Sequence, residues 1–162
     1  MIPVLSVIAL VLGTPIAIQQ KTSTDFSGTW VLNKQASEGL SPVTIGADSV
    51  TWTISQDQKT ISISEAMVGG PRPSTGSLGA YTLDGVERQS DSGGGPVVVT
   101  LRGLWAGPRL QLFRKQSVTG ANPTETNALR ILELSADGKT LTVAMRYQGS
   151  RGATESKWVF GR

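Results

Sequence analysis

The stretch Phe26-Ser-Gly-Thr-Trp-Val-Leu-Asn33 is where the fold of this chain can first be read. It places Gly28 two residues before Trp30, and apolar positions then alternate along the segment. Successive side chains of an extended strand point to opposite faces, so this alternation is typical of a half-buried β-strand. We therefore expect Phe26–Asn33 to form the opening strand of a β-rich domain.

The same period of two recurs through the rest of the chain. Between Ser49 and Ser55 the side chains of Val50, Trp52 and Ile54 share one face, and hydroxyl-bearing residues share the other. Further strands are predicted at 60–68, 78–83, 86–90, 97–105, 110–117, 124–134, 140–148 and 153–160.

Turn residues separate these strands. Asp84-Gly85 predicts a tight β-hairpin, because the preferred two-residue turn needs positive φ at both positions. In that hairpin Leu83 pairs with Val86, and Tyr81 and Arg88 fall on one face. Other short connections are predicted at 56–59, 69–73, 106–109, 135–139 and 149–152.

About ten strands with short links predict an all-β, up-and-down antiparallel meander. No segment with helical periodicity separates the strands, so parallel βαβ units are excluded. Closure into a barrel would remove the exposed edges of so wide a sheet, and a β-sandwich is the alternative. The first connection, Lys34–Ala47, is long, and we expect one short helical turn near Lys34–Glu38.

Two motifs carry a family resemblance: Gly28-Thr29-Trp30, and the late hairpin from Leu134 to Val143 with Asp137-Gly138 at its turn. With them the chain resembles lipocalin-like (calycin-type) short exported bacterial proteins, which have no settled ligand. The resemblance implies that Gly28 and Trp30 are structural, with Trp30 plugging the closed end of the barrel. It also implies a cationic side chain from near the C-terminus across the Trp30 ring, and a first connection lying over the open mouth.

One feature departs from the resemblance. Fatty-acid-binding relatives of this fold hold a carboxylate with an Arg-x-Tyr motif near the C-terminus. In this chain Arg146 and Tyr147 are adjacent and therefore face opposite sides of a strand. The resemblance therefore does not carry that mode of fatty-acid binding over to this sequence.

The N-terminal segment predicts export. Residues 1–20 carry no charged side chain, and the apolar run Val4–Leu12 precedes Gly13, Pro15 and Ala17. This pattern is typical of a secretory signal peptide. We expect 1–20 to be the leader, 21–162 to be the barrel domain, and the mature protein to be periplasmic or secreted. An uncleaved anchor and a buried core strand are the alternatives.

Composition excludes several kinds of chemistry. The chain has no cysteine and no histidine, which excludes disulfides, the common zinc sites and the Ser–His or Cys–His nucleophile pairs. The formal net charge is +3 without any basic run, so no nucleic-acid partner is expected. We expect no metal, no cofactor and no catalytic residues, and a monomer without stable membrane insertion after the leader is removed.

Polar side chains on apolar faces are the candidate site. Glu65 shares a face with Ile61 and Ile63, and Arg114 and Arg130 each share a face with leucines. If these faces point inward, the barrel interior holds one acid and several arginines. The predicted ligand-binding residues are Trp52, Glu65, Tyr81, Arg88, Arg114 and Arg130. The alternative is that the arginine heads reach water at strand ends while their stems pack.

These observations predict a non-catalytic protein that binds a small hydrophobic or anionic molecule in its barrel. If the barrel is hollow, Glu65 should pair with one arginine and the ligand's anionic head with the others. A second hypothesis is a structural or interaction module of the bacterial envelope, with the barrel filled by side chains such as Trp52, Trp105 and Trp158. An enzyme is the third.

Overall fold

The computed structural model describes residues 24–90 and 95–162, which form one antiparallel sheet of ten strands. The segment predicted as a leader, residues 1–20, lies outside this part. The strands are β1 (Gly28–Leu32), β2 (Ser49–Gln56), β3 (Thr60–Val68), β4 (Ser74–Thr82), β5 (Arg88–Ser90), β6 (Val97–Ala106), β7 (Arg109–Val118), β8 (Thr124–Leu134), β9 (Thr140–Gly149) and β10 (Gly152–Gly161).

The sheet is a nearly closed barrel. Its strand order is β4-β3-β2-β1-β10-β9-β8-β7-β6-β5, so every pairing except β1 with β10 joins neighbours in sequence. Val31 lies opposite Gly161 and Leu32 opposite Phe160, which joins the first strand to the last. The predicted meander is therefore confirmed as a barrel rather than a sandwich. A seam remains between β4 and β5, the two edges of the sheet.

The predicted hairpin at Asp84-Gly85 is wrong. β4 and β5 are not paired, and the backbone between them bonds to other parts of the barrel. The Leu83 N–H donates to the Lys59 carbonyl at 2.8 Å, and the Gly85 N–H donates to the Gly103 carbonyl of β6 at 2.9 Å. These bonds satisfy the backbone at the seam, so the turn connects the two edges instead of forming a hairpin.

The barrel is plugged at one end by Trp30, as the resemblance implied. Its side chain is fully buried, and its indole N–H donates to the Phe26 carbonyl at 2.9 Å. The Arg162 guanidinium lies 4.2 Å from the ring centroid and donates to the Ser27 carbonyl at 2.8 Å. Gly28 has a φ of +133°, which other residues rarely adopt, so glycine is needed where the chain turns around this contact.

The first connection lies at the opposite end of the barrel, where β2 begins. We call this end the open end. It contains a 3-10 turn (Lys34–Ala36), as predicted, and a short helix α1 (Pro42–Gly46) that was not predicted. The Ser41 hydroxyl accepts from the Thr44 N–H at 3.1 Å, so Ser41-Pro42 is a helix start that the sequence did signal. Leu40 and Val43 of this connection pack against the core.

Aromatic side chains fill much of the barrel. The ring centroids of Trp52 and Phe160 are 4.7 Å apart, and Trp158 lies 6.0 Å from each of them. Phe26 and Trp105 stack at 6.0 Å. Trp52 and Trp105 therefore pack as part of the core. Their side chains reduce the interior volume that a ligand could occupy.

Candidate functional site

The candidate site lies inside the barrel, on strands β4, β7 and β8. Arg114 is opposite Leu101 and Arg130 is opposite Leu112, so both arginines are on the faces that carry the buried leucines. Tyr81 of β4 is 1% exposed. The inward placement of Tyr81, Arg114 and Arg130 that alternation predicted is thus what the structure shows.

These side chains converge into what we call the arginine cluster: Tyr81, Arg114, Gln116 and Arg130. Arg130 Nη1 lies 3.4 Å from the Tyr81 hydroxyl, at the long end of hydrogen-bond range. The same hydroxyl donates to the Leu78 carbonyl at 3.1 Å. Arg114 Nη2 donates to Gln116 Oε1 at 2.8 Å. The cluster is therefore held by neutral acceptors.

Room for this arrangement comes from Gly79. A Cβ atom at Gly79 would lie 2.8 Å from the Tyr81 ring, closer than two such atoms can approach. The missing side chain lets the ring lie along β4, which brings its hydroxyl to the Leu78 carbonyl. Gly79 thereby sets where Tyr81 meets Arg130.

The charge of the cluster is not neutralised within the part of the chain that the structure describes. The ion pairs found there involve neither Arg114 nor Arg130, and Arg130 Nε is buried without a hydrogen-bond partner. Burial raises the pKa of the Tyr81 hydroxyl, an effect that Arg130 and Arg114 partly oppose. The hydroxyl is therefore neutral at pH 7, and the cluster is positively charged.

Glu65 does not pair with an arginine, contrary to prediction. Its partner is Trp52, which lies directly opposite on β2 and donates its indole N–H to Glu65 Oε2 at 2.8 Å. The reason is proximity, because cross-strand neighbours lie within about 5 Å of each other. Trp52 itself is 1% exposed, so it orients Glu65 from within the core.

Arg88 lies at the seam and not in the interior, which corrects its predicted place. Its guanidinium donates to both carboxylate oxygens of Asp84, at 2.8 and 2.7 Å, and to the Thr82 hydroxyl. These bonds hold the pKa of Asp84 well below its usual range. The prediction placed Arg88 beside Tyr81 through a hairpin that does not form, and its side chain is 47% exposed.

A small cavity adjoins the arginine cluster. It has a volume of about 190 Å³, and Arg130, Met145, Tyr147 and Thr154 are among the residues that line it. A larger cavity of about 600 Å³ lies on the outer face of β8–β10, over Leu129, Ile131 and Ala144. Among the residues that the structure describes, the cavity found inside the barrel lies toward its open end.

Sequence reasoning missed two polar groups of the interior. Gln116 is two residues from Arg114 on the same face, so the alternation that identified Arg114 could have identified it too. The Trp158 indole nitrogen is buried and has no hydrogen-bond partner among the described residues, which nothing in the sequence signalled. Gln116 belongs to the arginine cluster, and Trp158 packs beside Trp52 and Phe160.

Substitution of Tyr81 by phenylalanine is expected to lower the free energy of unfolding by about 1 kcal/mol. The change removes the part-buried hydrogen bond that the hydroxyl donates to the Leu78 carbonyl. Urea denaturation measures the loss. Tyr147, 46% exposed, is the chain's other tyrosine, and Tyr147→Phe is the control that should change stability little. Equal effects of the two variants would show that the Tyr81 hydroxyl has no structural role.

Comparison with known proteins identifies the fold. The zebrafish ileal bile acid-binding protein complexed with cholic acid is similar at TM-score 0.51 and 15% identity, over 85% of this chain and 98% of that chain. Apo lipid binding protein 8 of Caenorhabditis elegans is similar at 0.51 and 15%, over 85% and 94%. The Drosophila melanogaster brain fatty acid-binding protein is similar at 0.50 and 17%, over 85% and 100%.

These similarities confirm the predicted calycin-type barrel at the level of the fold. No family model matches the chain, and no curated protein matches it. In residues 24–90 and 95–162 no helix is long and apolar enough to cross a membrane. Those residues also contain no acidic cluster suited to a metal ion.

Proposed function

We propose that this protein is an exported, non-catalytic carrier that holds a small, partly apolar molecule with an anionic head inside its barrel. The observation that carries the proposal is the arginine cluster, in which Arg114 and Arg130, both half-buried, form no ion pair with a carboxylate of the residues that the structure describes. Even partial burial of an ionised side chain has a desolvation cost, which a partner of opposite charge offsets. An anion that enters the cluster would supply the missing partner.

The chemistry of the cluster suits a carboxylate or a phosphate. A guanidinium group offers a planar fork of N–H donors that can bind either anion with two bonds. The buried Arg130 Nε is one such unused donor. The Gln116 side-chain N–H would donate to the anion and help to orient it, while the neutral Tyr81 hydroxyl positions Arg130 without competing for the anion's charge.

Apolar side chains around the open end suit the rest of the molecule. Partly buried apolar residues pack against the core there or beside the cluster: Leu40, Val43, Leu78, Val97 and Met145. The cavity of about 190 Å³ is below the roughly 300–1,000 Å³ usual for ligand sites. We therefore expect the head to occupy this cavity and the tail to displace side chains toward the mouth.

The similar solved structures support this proposal by analogy. The zebrafish protein is complexed with cholic acid, and the other two are named for binding fatty acids or lipids. Export rests on the leader-like residues 1–20, and a mature N-terminus near residue 21, found by N-terminal sequencing in the host, is the expected result. A chain that keeps Met1 in the cytosol would contradict export.

Titration with dodecanoic acid and with its methyl ester tests the proposal. The two ligands share a tail, and only the acid carries a charge that Arg114 and Arg130 can bind. We expect the acid to bind at least tenfold more tightly than the ester, which corresponds to a difference of about 1.4 kcal/mol in binding free energy. One hydrogen bond to a charged group often contributes more than this. Tryptophan fluorescence reports binding, since Trp158 and Trp52 are near the site. Equal affinities would remove the arginines from the site.

The small cavity also favours the second function, a structural or interaction module with a filled barrel. In that case Arg114 and Arg130 would extend toward water at the open end, and no ligand would enter. The same titration decides between the two, because a filled barrel would show no saturable change with either ligand. The proposed carrier requires saturation at one ligand per chain.

A further inference from the structure

Glu65 introduces a negative charge into the same interior as the arginine cluster. Its Oε2 accepts from Trp52, while no partner is found for Oε1 among the residues that the structure describes. An ionised carboxylate can accept about four hydrogen bonds, so most of its capacity is unused. Glu65 is half-buried, and it places a second charge, opposite in sign to the first, on the inward face of β3.

The space beside Glu65 is open. Glu65 lies opposite Gly76 of β4, and a Cβ atom added at Gly76 would meet no atom within 4 Å. No side chain from this neighbour covers the carboxylate on that side. A group of a ligand could reach Glu65 there.

Glu65 and the arginine cluster approach neighbouring positions of β4. The Tyr81 hydroxyl, where Arg130 binds, lies at the Leu78 carbonyl, two residues along β4 from Gly76. Two residues of a strand correspond to roughly 7 Å. No ion pair between Glu65 and an arginine is found among the residues that the structure describes, and a small head that carries both charges is long enough to extend from one of these β4 positions to the other.

We infer that the ligand of this barrel is zwitterionic: its anionic group binds Arg114 and Arg130, and its cationic group binds Glu65. This inference rests on the proposed function and names the class of its ligand. A purely anionic head would satisfy the arginines but would be repelled by Glu65. A head that carries both charges would satisfy both sites at once.

Two pairs of single-chain amphiphiles test the inference, measured below the concentration at which they form micelles. Dodecylphosphocholine is compared with dodecyl methyl phosphate, and dodecyl sulfobetaine with dodecanesulfonate. Each pair differs by the cationic group, and the two pairs present the charges in opposite order. We expect at least one zwitterion to bind about tenfold more tightly than its matched anion, the factor of one charge-assisted hydrogen bond.

The variant Glu65→Gln separates this role from a structural one. The amide oxygen can still accept from Trp52, so the core contact is kept while the charge is removed. We expect Glu65→Gln to abolish the preference for the zwitterion and to leave anion binding unchanged or tighter. Glu133→Gln is the control, since Glu133 pairs with Arg109 outside the barrel and should leave the preference unchanged.

The possible failures are distinguishable. If the anions bind but neither zwitterion is preferred, or if Glu65→Gln leaves the preference intact, the inference is overturned and the carrier remains. If no amphiphile of either pair binds saturably, both the inference and the proposed function are overturned.

Discussion

Replacing Trp30 with alanine is expected to lower the free energy of unfolding by about 3–5 kcal/mol, the usual cost of deleting a large buried aromatic side chain. Trp30 is fully buried, and its ring is the surface on which Arg162 lies at 4.2 Å. The substitution therefore leaves a cavity, removes the cation–π contact and deprives the Phe26 carbonyl of its donor. Urea denaturation followed by circular dichroism measures the change.

Val31→Ala is the matched control for this prediction. Val31 is the next residue of β1 but is 49% exposed, so its truncation should cost well under the loss at Trp30. If Trp30→Ala unfolds with the same midpoint as the wild type, the assignment of Trp30 as the plug of the closed end is wrong.

Replacing Arg114 and Arg130 together with methionine is expected to reduce dodecanoic acid affinity by 100-fold or more, since each charged hydrogen bond contributes about 1.5–3 kcal/mol. Methionine keeps much of the length of the apolar stem and removes the charge. Affinity for the methyl ester should be unchanged, because the ester makes no use of the guanidinium charges. Fluorescence titration with both ligands measures the difference.

Two controls accompany the double variant. Arg88→Met removes a guanidinium at the seam, where Asp84 pairs with it, and should leave acid binding intact. The double variant itself should be no less stable than the wild type, because Arg130 Nε is a buried donor with no partner in the part of the chain that the structure describes. Retained acid binding in a folded double variant would contradict the anion site.

Local pattern was enough to predict which residues face the interior. Side-chain direction in a strand depends on parity alone, so Arg114 and Arg130 followed from the leucines two residues away. The contact between Trp52 and Glu65 could also have been predicted. The Asp57 N–H donates to the Thr60 carbonyl across the turn between β2 and β3, and counting back from this pair places Trp52 opposite Glu65.

The position of Arg88 could not be predicted from local pattern. Asp84-Gly85 has the composition of a hairpin turn, yet whether the flanking strands pair depends on where the barrel leaves its seam. That is settled by the closure of all ten strands, including the β1–β10 pairing between the two ends of the domain. A turn motif carries no information about so distant a contact.

The contact between Tyr81 and Arg130 could not be predicted from local pattern either. These residues are 49 positions apart, on strands β4 and β8, and they approach each other only across the curved interior. Their contact also depends on the space left by Gly79, which the sequence marks only as a glycine within a strand. The candidate site was thus predicted as a set of residues but not as a cluster with a geometry.

A crystal structure of the protein with 12-bromododecanoic acid tests the central claim most directly, because anomalous scattering from bromine locates the tail and density locates the carboxylate. We expect the carboxylate to lie inside the barrel, within hydrogen-bond distance of Arg114 or Arg130, and the bromine to lie toward the open end. A ligand found only in the outer cavity over Leu129, Ile131 and Ala144, with the barrel interior unchanged, would contradict it.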